Sequence, residues 1–198
     1  MNTRISLNKT LTILALCCAT SWGSASAYAP KTPQYSGINQ VLFNESEYNN
    51  YFAGNGFLIE YKDKVYAVTV KHVLFEAKTP SLRSVFLRGK LNQWRIHPNK
   101  NDQKYIRLGR LLNADKNEKL DMNILSKDWL VFEVKKNKSN LAILKLRDSD
   151  LSPGEELTAY GCSYINQASC SQDEYKGKFI KMEENNLRIA MPKLEMGK

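Results

Sequence analysis

The chain contains two histidines, and only His72 follows a segment able to aim it. Tyr66-Ala67-Val68-Thr69-Val70-Lys71 precedes it, an apolar run rich in β-branched residues that reads as a strand. A histidine just past a strand end has a fixed backbone and a ring that can turn into a cleft, which is what a general base requires. His97, followed by Pro98 in a polar stretch, lacks this context and is expected at the surface. An imidazole base works best beside an acid that holds its Nδ1–H and stabilises the cation it becomes. Asp128, which opens the apolar run Trp129-Leu130-Val131-Phe132-Glu133-Val134, is a candidate for that role. Two rivals are weaker. Asn140, before Leu141–Leu146, offers an amide where the acid is needed, and the run after Asp121 breaks at Ser126-Lys127.

A base of this kind activates a hydroxyl or thiol nucleophile. No serine in the chain lies between the glycines that would let backbone amides approach an oxyanion. Ser152 belongs to a Ser-Pro-Gly turn, Ser163 and Ser169 flank cysteines, and Ser171 leads into Gln172. Cys170 lacks such glycines as well and reads better as a disulfide partner of Cys162. Both would be the remaining cysteines after removal of a leader, and an even count in an exported protein favours pairing.

Residues 1–27 are expected to be that leader. Arg4 and Lys9 precede the short apolar run Leu11–Ala19, and Ala25-Ser26-Ala27 forms a signal-peptidase site. The run is too short for a transmembrane helix, which needs about 20 residues. The expectation is a secreted or periplasmic protein with no transmembrane segment after cleavage near Ala27. Removing Arg4 and Lys9 lowers the formal charge from +9 to +7, since no acidic residue leaves with them. The remaining basicity suits anionic cell-envelope polymers or acidic substrates. No basic helix or aromatic-basic array points to specific nucleic acid binding. Lys135, Lys136 and Lys138 are expected to solvate a polar turn around Asn137.

The elements that must position His72 and Asp128 are strands. Residues 28–52, rich in Pro, Asn, Tyr and Ser, show neither a helical nor an alternating period and read as an extended N-terminal arm. From Gly56 onward, short Val/Ile/Tyr/Phe runs separated by Lys, Asn, Asp and Gly predict an antiparallel all-β domain. Phe57–Tyr61 and Val65–Val70 form the first hairpin. Further strands are predicted at 84–88, 93–96, 105–112, 129–134, 141–146, 157–160, 175–182 and 187–190. The polar stretch 113–127 divides a first barrel, about 53–113, from a second, about 128–198.

Gly54-Asn55-Gly56-Phe57, the strand ending Thr69-Val70-Lys71-His72, and Asp128 before its apolar strand resemble the trypsin-like serine protease family. Pro153-Gly154-Glu155-Glu156 followed by Leu157–Gly161 is similar to the bacterial branch of that family. The resemblance covers about residues 54–190. It implies an all-β fold of two antiparallel Greek-key β-barrels of the chymotrypsin type, the second incomplete in this chain. It also implies a serine endopeptidase acting on protein or peptide substrates without a cofactor or metal, with His72 as base and Asp128 as its orienting acid. The diagnostic G-x-S-G-x-P motif is not found in residues 1–198, so this chain is expected to be truncated before the serine and inactive as it stands. The alternative is a non-catalytic protease-fold binding protein of the periplasm or cell envelope.

Overall fold

A computed structural model describes residues 32–76, 84, 87, 89–98, 103–115, 117, 128–162, 172–184 and 186–192. Among them are ten strands: β1 (Ser36–Phe43), β2 (Asn55–Tyr61), β3 (Lys64–Thr69), β4 (Leu91–His97), β5 (Ile106–Leu111), β6 (Leu130–Asn137), β7 (Ile143–Lys145), β8 (Glu156–Gly161), β9 (Asp173–Glu183) and β10 (Asn186–Ala190). One helical turn, α1 (Val73–Glu76), follows β3, and a single 3-10 turn occupies Ser46–Tyr48. The chain is nearly all β.

Strands β1 to β6 close into an antiparallel barrel with neighbours in the order β1-β2-β3-β6-β5-β4, and β4 returns to pair with β1. Closure leaves no open edge around the ring. One side chain in two points inward along each strand, and Leu58, Ala67, Trp94, Ile96, Ile106, Leu130 and Phe132 fill the interior. Trp94 and Phe132 meet there with ring centroids 4.9 Å apart. The first hairpin turns on Lys62 and Asp63, both left-handed at φ 49° and 59°. A two-residue turn of this hand matches the twist of the flanking strands.

Several boundaries differ from those read in the sequence. Residues 36–43 are not arm but barrel wall, hydrogen-bonded to β4 and β2. Strand β6 also belongs to this barrel, between β3 and β5, so the ring draws on residues on both sides of the polar stretch 113–127. β7 is short and adds to β2 in parallel rather than entering a second barrel. His97 is buried at the end of β4, because that strand end pairs with Ile38 of β1. Lys135 and Lys136 lie on β6 itself, not in a turn. The predicted strand 84–88 lies largely outside the described residues, and so does Asp121.

The second sheet has three strands in the order β10-β9-β8, all antiparallel. In the turn before it, Arg147 pairs with Glu155, and the Ser152 backbone N–H donates to the same carboxylate at 3.2 Å. The Arg147 hydrogen bond, followed by that from Ser152, holds the Glu155 carboxyl below the ordinary glutamate range. A lowered folded-state value means that the stabilisation is present above the unfolded value and is lost as pH falls through the folded one. A carboxyl-detected NMR titration is expected to give Glu155 a midpoint below that of a free glutamate, rising toward the ordinary range in Arg147→Gln while the Ser152 hydrogen bond remains. An unchanged midpoint in that variant would refute the pairing.

Candidate functional site

The end of strand β3 and the turn after it hold His72 in place. Strand β3 ends at Thr69, whose Oγ1 donates to the Asn55 backbone oxygen at 2.8 Å and is itself buried. Lys71, Val73 and Leu74 are buried, and the Leu74 N–H closes a turn on the Lys71 oxygen at 2.9 Å. His72 therefore stands on a backbone gripped on both sides, while its own side chain is 50% exposed. An exposed ring on an immobilised backbone is the geometry expected of a group that must reach a substrate.

The β3–β6 register brings in the acid. Thr69 pairs with Leu130 and Val68 with Val131. Continuing that antiparallel register past the strand ends sets residue 128 opposite residue 71, beside His72. There Asp128 grips His72 at two points: Oδ1 accepts from the backbone N–H at 2.8 Å, and Oδ2 lies 2.6 Å from Nδ1. A carboxylate only accepts hydrogen bonds, so in the neutral imidazole this contact puts the hydrogen on Nδ1 and leaves the lone pair on Nε2. Among the described residues, Asp128 is the only hydrogen-bond partner of the His72 side chain. The outward nitrogen is thus available to take a proton from a hydroxyl brought to it.

The glycines before β2 have physical roles. Gly54 is left-handed at φ 77°, a conformation that side chains disfavour. A Cβ on Gly56 would lie 2.6 Å from Ile96 Cδ1 inside the barrel. Asn55, between them, connects the barrel to the second sheet. Its Nδ2 donates to the Cys162 oxygen at 3.0 Å, and its Oδ1 accepts from the Cys162 N–H and the Ser36 hydroxyl, each at 3.0 Å. Gln172 makes a second tie, its Oε1 accepting from the Tyr35 and Ser36 amides at 2.6 and 3.0 Å. Cys162 and Gln172 are thereby both tied to residues at the start of the barrel.

Sequence reasoning selected His72 and Asp128 and missed Asn39, Asn55, Trp94 and Gln172. Only Asn55, a polar residue between two glycines at a strand start, carried a visible signal. Asn140 lies after β6 and does not meet His72. Cys162 directly follows β8, whereas Cys170 lies outside the described residues, as do Ser163, Ser169 and Ser171. Among the described residues no group of three or more His, Cys, Asp or Glu could hold a metal ion, and no helix is long and apolar enough to cross a membrane. No protein-family model matches the chain, and no curated protein matches it. The fold and site define an antiparallel six-strand β-barrel with an exposed, carboxylate-clamped histidine at a strand end.

Proposed function

We propose that this chain carries the base half of a trypsin-like serine endopeptidase, exported from the cell, with His72 as general base and Asp128 as the group that orients it. The observation that carries this reading is the two-point grip of Asp128 on the His72 backbone N–H and Nδ1. It fixes both the ring's position and its tautomer, the two requirements for drawing a proton from a serine hydroxyl. The barrel order supports the reading too. Strands β1-β2-β3 run consecutively and β4 returns beside β1, the strand order of a Greek key, and the second sheet would belong to the second barrel of the chymotrypsin type.

In such an enzyme the serine attacks the peptide carbonyl as its proton passes to His72 Nε2. The imidazolium then gives that proton to the leaving amine, and water releases the acyl group by the same route reversed. The serine itself is not assigned within residues 1–198. The chain expressed alone is expected to show no peptide turnover. Joined to a segment bearing G-x-S-G-x-P encoded downstream of codon 198, it is expected to hydrolyse peptides and to react with a fluorophosphonate, and His72→Ala should abolish both. Peptidase activity of residues 1–198 alone, or a serine-bearing product indifferent to His72→Ala, would defeat the proposal.

One observation favours a second reading, a non-catalytic binding protein on the same scaffold. Ile180, Met182 and Leu187, exposed by 43, 54 and 49%, share one face of β9 and β10, an apolar area of the kind that partners cover. The absence of any such serine-bearing segment downstream would favour it.

A further inference from the structure

The outer wall of the barrel gathers cations where a sheet normally separates them. On β5, Arg107 is the registered partner of Arg95 on β4 and of Lys136 on β6, so three positive side chains lie in a row across three strands. Like charges directly opposite one another destabilise a sheet. Among the described residues, Arg107, Lys135 and Lys136 have no carboxylate partner, and the nearby Glu133 is engaged by Arg110 at 2.8 Å. The Nε of Arg95 is buried without a hydrogen-bond partner among the described residues.

The row borders a groove. Arg107, Gly109, Arg110, Glu133 and Lys135 line a concavity of about 520 Å³ on this wall. Gly109 lies close against β6 there: a Cβ on it would lie 3.2 Å from both the Glu133 Cβ and its carbonyl oxygen. Sheet neighbours are about 4.8 Å apart, so three cations on successive strands span about 10 Å. That is too long for a single phosphate and suits successive anionic groups along a chain. Guanidinium forks favour phosphate oxygens. The adjacent aromatic ring, Tyr105, has one face taken by the Arg95 guanidinium at 4.5 Å, so that face is not open to a stacking nucleobase.

We infer that this wall is a binding site for a linear chain of phosphate groups, held by Arg95, Arg107 and Lys136 with Arg110 and Lys135 at the groove. The site is independent of His72 and of the proposed peptidase reading. The row is stable as an anion site because bound phosphates replace mutual repulsion with charge-assisted hydrogen bonds.

The test is titration of the 198-residue chain with inorganic tripolyphosphate, followed by NMR or calorimetry. Saturable binding that weakens steeply with added salt is expected, and Arg107→Gln should weaken it about tenfold or more. Arg107→Lys should weaken it less, since the charge remains while the fork is lost. Lys62→Gln/Lys64→Gln on the β2–β3 hairpin removes more charge than Arg107→Gln and is expected to have little effect. Without ligand, Arg107→Gln should leave the thermal midpoint unchanged or slightly raised, which separates lost binding from lost folding. Non-saturable binding, or equal losses in the Arg107 and Lys62/Lys64 variants, would overturn the site. So would tighter binding of an oligothymidylate at the same phosphate concentration.

Discussion

Asp128→Asn, in a form supplied with a serine, is expected to lower kcat by about 10⁴-fold while leaving the barrel folded. The reason lies in the two-point grip. Asp128 accepts from a donor that cannot change, the His72 backbone N–H, and from one that can, Nδ1. An amide has one oxygen and one NH2 group. The oxygen must stay with the backbone N–H, so the NH2 faces Nδ1 and drives the hydrogen to Nε2. The nitrogen needed as a base is then occupied by its own proton. Stability should change little, because both contacts remain satisfied. The check is a steady-state peptidase assay of the paired proteins alongside their unfolding curves, and a loss of less than tenfold would contradict the assigned role.

The second large effect lies inside the barrel. Asn39 is fully buried, accepts from Trp94 Nε1 at 2.8 Å, and donates through Nδ2 to Thr69 Oγ1 at 2.8 Å. Asn39→Ala strands the Trp94 donor, removes a bond from Thr69, and leaves a small cavity. The expected loss is about 3 kcal/mol, or about 10 °C in thermal midpoint for a chain of this size. Removing both partners of a buried bond costs less than removing one. Asn39→Leu combined with Trp94→Phe should therefore recover part of the loss seen with Asn39→Leu alone. A change below about 1 kcal/mol in Asn39→Ala would show that the network contributes nothing net. Because Thr69 leads directly into the Lys71-His72 turn, this network also links core packing to the position of the base.

The same network explains what the sequence hid. Strand β1 carries a polar residue, Asn39, pointing into the barrel, and is buried along most of its length; alternation, the usual sign of a half-buried strand, is therefore missing over residues 36–43. His97 looked like a loop residue because Pro98 follows it, yet its burial comes from β1, about sixty residues earlier in the chain. Strand β6 was legible as a strand but not as a member of the first barrel. Hydrogen-bond partners distant in the chain leave no local mark. By contrast, β2, β3 and the His72 turn were readable because they are local: an alternating hairpin followed by a short exit. Asp128 was readable for a related reason, since it sits just before an apolar run whose pairing with β3 sets it beside His72.

The central claim is that Asp128 fixes His72 as a base with a free Nε2, and the most direct measurement is the ¹⁵N NMR spectrum of the His72 imidazole near neutral pH. The account predicts the Nδ1–H tautomer, with a strongly deshielded Nδ1 proton that disappears in Asp128→Asn as the hydrogen moves to Nε2. A neutral His72 carrying its hydrogen on Nε2 in the unsubstituted chain, with a spectrum unaltered by Asp128→Asn, would contradict it.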